Sequence, residues 1–161
     1  MDQLLDNQAI EREYTVASKK QRFINYLIDV IAFYFLAFLI GLIAAVFIIG
    51  TGNEEMILEE PEESLVTKLR DYLLGSVLVL FYYFVFEYLT KGKTLGKYFT
   101  RTRSVTMDNR RMGFSTTLKR SLCRLIPFEA FSFLGDEPTG WHDTMTNTKV
   151  IIDENWEDYY V

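Results

Sequence analysis

Apolar positions along the chain gather into two long blocks separated by a polar, acidic stretch. The first block, Val30 to Ile49, contains no charged residue, and a bilayer crossing needs about 20 apolar residues. The second, Tyr72 to Leu89, carries Glu87 as its single charge, with aromatics crowding its far half. Gly50-Thr-Gly-Asn53 reads as a turn between them, followed by acids at 54, 55, 59, 60, 62 and 63. The pattern predicts an α-helical membrane protein with spans over residues 23–49 and 72–89.

Ser18-Lys-Lys-Gln21 has the spacing of a capping box, which starts the first helix. Arg22, Asn25 and Asp29 follow at intervals of three and four residues, so they form one polar stripe on that helix. Because Val30 to Ile49 already fills a bilayer, Asp29 is placed near the cytosolic boundary. There it serves as half of an ion pair or as a site for a cation or proton. Glu87 lies at a matching depth at the end of the second span, with Lys91 four residues on as its local partner. A shared acidic site with Asp29 is the sharper reading. Gly75-Ser76 offers a spot where another helix can approach closely.

Beyond Lys91 the pattern shortens. Thr100 to Met107 alternates and is rich in β-branched residues, as a strand would be. Ser115 is a helix cap, after which Arg120 and Arg124 share one face and Leu118, Leu122 and Leu125 the other. The third apolar segment, over residues 116–134, is broken by Pro127 and Glu129 and is expected to be interfacial or re-entrant. A third crossing there would require both arginines to snorkel. Lys149 to Ile152 is a second strand, pairing with the first as a short cytosolic β-hairpin-like element. Residues 1–17 are expected to be a mobile lead, residues 18–152 the membrane domain and residues 153–161 an acidic tail.

Charge adds an orientation. The chain has 161 residues and a formal net charge of −5, but its lysines and arginines concentrate before the first block and after the second. By the positive-inside rule both ends are cytosolic and the loop 51–71 lies outside. The polar, acidic start is not that of a secretory signal. Lys91, Lys93, Lys97, Arg101, Arg120 and Arg124, directly after a span, are expected to meet lipid headgroups rather than nucleic acid.

Other chemistries fit poorly. One cysteine and one histidine exclude a His/Cys metal cage, and the acidic loop lacks the glycine and ligand spacing of a calcium loop. Gly92-Lys-Thr-Leu-Gly-Lys97 lacks the glycine a phosphate-binding loop needs five residues earlier, where Glu87 stands. Trp141-His-Asp143 has no activated nucleophile beside it, so Trp141 reads as an interfacial anchor and Asp143 as a cap or an arginine's partner. Neither an enzyme nor a cofactor is expected.

Taken in order, Ala17-Ser-Lys-Lys-Gln-Arg22 with Leu27-Ile-Asp29, Gly92 to Lys97, Ser121 to Pro127 and Gly140-Trp-His-Asp143 resemble the RDD family of bacterial membrane proteins. The resemblance carries the family's arginine onto Arg22 and its aspartates onto Asp29 and Asp143. Leu95 stands where the family often has proline, and Thr144 where arginine often follows the aspartate. The resemblance implies a bacterial inner membrane as the location, and ligand transport or cation/proton exchange. Two spans are too few to enclose a pathway, so a homo-oligomer or a partner membrane protein is expected. The other reading is a non-catalytic anchoring or assembly factor whose basic module binds lipid headgroups or a partner protein.

Overall fold

A computed structural model describes residues 14–53, 55, 64–135 and 139–153. Two long helices dominate it, α1 (Lys19–Gly50) and α2 (Leu65–Leu89). At 1.5 Å per residue they measure about 48 and 38 Å, beyond the about 30 Å of a hydrocarbon core. Both are long and apolar enough to cross a membrane. The capping box forms as the sequence predicts, with Gln21 N–H donating to Ser18 Oγ and Ser18 N–H to Gln21 Oε1. Gly52, at φ 75°, supplies the left-handed turn that ends α1. α2 begins seven residues before the expected span, capped by Ser64. Most of the expected acidic loop lies outside the described residues.

After α2 the chain folds into a cap of short elements: α3 (Leu95–Thr100), β1 (Thr102–Thr106), α4 (Phe114–Cys123), a 3-10 helix (Glu129–Leu134), α5 (Trp141–Met145) and β2 (Thr148–Ile152). β1 and β2 pair antiparallel, Thr102 opposite Ile152 and Thr106 opposite Thr148. The expected pairing is present, but it is no tight hairpin, because α4, the 3-10 helix and α5 lie between the strands. Three residues of the expected lead, Thr15, Val16 and Ala17, lie against β2. Val16 bridges to Ile151, Ala17 N–H donates to Val150 O, and Ile152 N–H donates to Thr15 O. α4 starts at Phe114, one residue before the serine expected to cap it. The chain from Leu118 to Leu134 is not one helix. Turns around Pro127 and a left-handed Phe128 (φ 67°) break it, so it holds no continuous helix long enough for a third crossing.

The polarity of the packing is reversed relative to a water-soluble fold. In α1 the buried residues are Arg22, Asn25 and Asp29, while Phe23, Leu27, Ile31 and Phe35 face outward. α4 buries Thr117, Arg120 and Ser121 and exposes Leu122. Across the described residues the apolar core is small: Ala17, Tyr82, Tyr83, Val105, Met112, Val150 and Ile151. Near the cap the two long helices meet through the Phe33 and Tyr82 rings, with centroids 5.8 Å apart. Among the described residues no other element packs within 4 Å of a Cβ placed at Gly75, so the small-residue spot is unused there.

Candidate functional site

The cap is fastened to α1 and α2 by a cluster of buried charges, and α3 is its first anchor. Gly92 stands at φ 100°, with Ser104 O only 2.2 Å from where a Cβ would sit, so only glycine fits that turn. Thr94 then caps α3. A Cβ at Gly96 would lie 2.2 Å from the Asn25 carbonyl, so glycine there lets α3 lie directly against α1. The Gly92 to Lys97 motif is thus a packing device, in which Gly92, Lys93, Thr94, Gly96 and Lys97 each meet a particular partner.

Asp29 accepts three hydrogen bonds from this arrangement. Thr94 Oγ1 donates at 2.6 Å, the Gly96 N–H at 2.8 Å and Tyr82 Oη at 3.2 Å. Both carboxylate oxygens are therefore engaged by neutral donors, and the negative charge sits at the N-terminus of α3. Asn25 completes the contact. Its amide is satisfied when the nitrogen donates to Thr100 Oγ1 and, at 3.0 Å, to Gly96 O, and the oxygen accepts from Thr102 Oγ1.

Arg22 does not pair with Asp29. Its Nη1 donates to Asp143 Oδ2, and Arg120 donates to the other oxygen of the same carboxylate. Asp143 also caps its own helix, accepting from Gly140 N–H at 3.2 Å. Burial alone would raise the Asp143 carboxyl, but Arg120, His142 and Arg22 hold it well below the usual carboxylate range. Arg22 and Arg120 thus supply positive charge to Asp143, although Thr144 stands where an arginine often follows the aspartate.

Glu87 is the second acidic anchor. Its carboxylate pairs with Lys97 Nζ, with Arg120 Nε at 3.2 Å and with Arg124 Nη2 at 3.2 Å. Partners from the cap thus replace the expected local pairing with Lys91. Burial pushes the Lys97 ammonium down to about 8, which leaves it charged at neutral pH beside Glu87. Burial also opposes the charge on Arg124, but Glu87, Tyr83 and Glu129 outweigh it and raise the guanidinium above its ordinary value. Arg124 lies over the Tyr83 ring, 4.1 Å from its centroid.

Arg120 is the hub. Fully buried, it joins Glu87 of α2 to Asp143 of α5 and donates to Ser104 Oγ of β1 and Thr148 Oγ1 of β2. Arg120, Lys97 and Arg124 were expected at lipid headgroups. They turn inward instead, because buried carboxylates need charged partners more than headgroups do. Lys93 is paired with Asp153, Lys91 is half-buried and Arg101 is exposed. Sequence reasoning also passed over Glu129 and His142. His142 Nδ1 is bonded to Glu129. Burial and the arginines lower the imidazole to about 4, so it is neutral at pH 7 and donates from Nδ1. Burial alone would raise Glu129, but the His142 bond and Arg124 bring it to about 2.

Inside the clasp lies a cavity of about 40 Å³, lined by Arg22, Asn25, Tyr26, Asp29, Lys97, Arg120, Arg124, Glu129, His142 and Val150. A cleft of about 260 Å³ adjoins it between α1 and α2, and Tyr26, Asp29, Arg124 and Glu129 belong to both. The rest of the cleft wall is Val30, Phe33, Tyr34, Val79 and Tyr83. Of the residues singled out in the sequence, Arg22, Asn25, Asp29, Glu87 and Asp143 all converge on this one region.

The model of a family described as RDD matches residues 16–147. That span contains Arg22, Asn25, Asp29, Glu87, Lys97, Arg120, Arg124, Glu129, His142 and Asp143, while Thr148 and Val150 lie just beyond it. No curated protein and no solved structure matches the chain.

Proposed function

Since the chain belongs to the RDD family, we propose that it is a non-enzymatic integral membrane protein that handles a small ligand at the cytosolic ends of two spans. Passage across the membrane then requires an oligomer or a partner, because two helices do not enclose a pathway. α1 and α2 are the spans, the lysine- and arginine-rich cap is cytosolic, and the acidic loop is external. The reversed packing supports this placement: lipid covers the outward apolar faces, and the polar stripe turns into the protein. Exposed Phe99, Phe128 and Trp141 suit an interfacial belt around the cap.

The observation that carries the ligand reading is the pair of adjoining cavities where both spans and the cap meet. A bare cation at Asp29 is the weaker version, because cations are held by oxygen acceptors. Here both Asp29 oxygens already accept from Thr94, Gly96 and Tyr82. A second reading, an anchoring or assembly unit, is favoured by the pairing of Asp29, Glu87 and Asp143 within the protein.

Reconstitution separates the two. Vesicles containing the protein should move a proton-coupled cation or a small organic ion faster than empty vesicles. Val79→Trp, which fills the cleft, should suppress that flux. A folded, oligomeric protein that moves neither class of ion would overturn the transport reading and leave the anchoring one.

A further inference from the structure

Apart from Arg120 Nε, which is ion-paired with Glu87 at 3.2 Å, the clasp leaves three guanidinium nitrogens over. Arg22 uses Nη1 for Asp143, while its Nε and Nη2 are buried and bonded to nothing among the described residues, and the same holds for Arg124 Nε. Arg22 is only 5% exposed. A buried N–H without an acceptor costs about 1–3 kcal/mol, and more on a charged group, so these donors call for an acceptor between them. Both arginines line the 40 Å³ cavity, which has room for two or three waters or one small acidic group at about 15 Å³ each.

Charge distinguishes these occupants. The charged lining comprises the cations Arg22, Lys97, Arg120 and Arg124 and the anions Asp29 and Glu129. Both anions already accept hydrogen bonds from the protein, Asp29 from three donors and Glu129 from His142. What remains unmatched is donor capacity on cations, and a guanidinium edge fits an oxyanion. The adjoining cleft adds an apolar wall of Val30, Phe33 and Val79 directly beyond the shared residues.

We propose that the two cavities form a site for an acidic group, a carboxylate or similar small oxyanion, which accepts from Arg22 and Arg124. Its source is a free small acid or the head of a single-chain amphiphile whose apolar part lies in the cleft. The proposal names the ligand class of the site described above and rests on that ligand reading.

The test uses full-length protein in a non-ionic detergent. Thermal unfolding and calorimetric titration are followed with sodium acetate, sodium decanoate below its micelle concentration, and decanol, ionic strength being balanced with sodium chloride. Saturable stabilisation by acetate or decanoate, absent with decanol, is expected. Arg22→Lys keeps a cation for Asp143 but deletes the two spare N–H groups, and should weaken acid binding at least tenfold with circular dichroism unchanged. Should that variant fail to fold, Arg124→Lys provides the same comparison. Decanoate binding at least tenfold tighter than acetate, with the gain lost in Val79→Trp, assigns an amphiphile; equal affinities assign a free acid. No saturable binding of either acid to folded wild type, equal effects of decanol and decanoate, or undiminished binding in the folded arginine variants would overturn the proposal. Flux without acid binding removes only this proposal, whereas acid binding without flux removes only transport.

Discussion

Arg22 and Asp143 are 121 residues apart in sequence and joined side chain to side chain, which ties the first turn of α1 to α5. The relationship decides which charges act together. Arg22 and Asp29 share a helix face about 10 Å apart along the axis, yet each has its own partners. A double-mutant cycle of Arg22→Ala and Asp143→Ala should show coupling of about 0.5–3 kcal/mol. The cycle of Arg22→Ala and Asp29→Ala should be additive to within about 0.5 kcal/mol. Denaturant unfolding in detergent measures both, and a strongly coupled second cycle would refute the assignment.

Arg120 and Arg101 are both cations of the basic stretch after α2, but the fold treats them oppositely. Arg120→Met leaves Glu87 and Asp143 short of a buried partner and should cost about 3–5 kcal/mol. Arg101 is exposed, so Arg101→Met should stay within about 0.5 kcal/mol. Unfolding midpoints of the two variants, measured side by side, check the contrast.

The elements themselves were legible because their signals are local. Ser18 and Gln21 mark the start of α1, Gly50 to Asn53 its end, and alternation at Thr102–Thr106 a strand. The same helical spacing brought Arg22, Asn25 and Asp29 onto one face. Their partners were not legible, since Thr94, Gly96 and Asp143 reach them only through tertiary packing. Arg120 was misread for a specific reason: charged faces of amphipathic helices usually point to water or headgroups. In α4 the polar face points inward. The spacing of Thr117, Arg120, Ser121 and Arg124 carried that stripe, and buried acids at Glu87 and Asp143 needing partners were the signal of its direction.

Gly96 and Gly41 give a matched test of the close approach between α3 and α1. Gly96→Ala forces a methyl against the Asn25 carbonyl and displaces the N–H that serves Asp29, for a loss of about 1–3 kcal/mol or more. At Gly41 an added Cβ meets nothing within 4 Å. Gly41→Ala should therefore gain up to about 1 kcal/mol from helix propensity. Thermal midpoints moving in opposite directions would bear this out.

Leu95 occupies the first position of α3 and is exposed. Proline suits a first helical position, where its missing N–H costs nothing. Thr94 before it is already extended, at φ −110° and ψ 176°, as a residue preceding proline prefers. Leu95→Pro should accordingly stabilise the protein by about 0.4–1 kcal/mol through the unfolded state, with Asp29 still bonded to Thr94 and Gly96. A lower melting temperature for this variant would mean that the turn after α2 is strained by other means.

His142 should make the clasp acid-sensitive well before Glu129 and Asp143 titrate. In the fold its pKa is about 4, against 6.5 for an unburied imidazole, so the unfolded chain takes up the proton first as pH falls. Stability from the neutral imidazole is therefore complete above pH 6.5 and declines from there toward pH 4. One proton of difference corresponds to a slope of about 1.4 kcal/mol per pH unit. Glu129 and Asp143, also depressed, add losses of the same sign, but only as pH falls through their unfolded values of 4.5 and 3.8. The interval from pH 6.5 to 5 lies above both of those values. Unfolding free energies across it should fall in the wild type and flatten in His142→Gln, whose amide can still donate to Glu129. An equal slope in both would place the acid-sensitive group elsewhere.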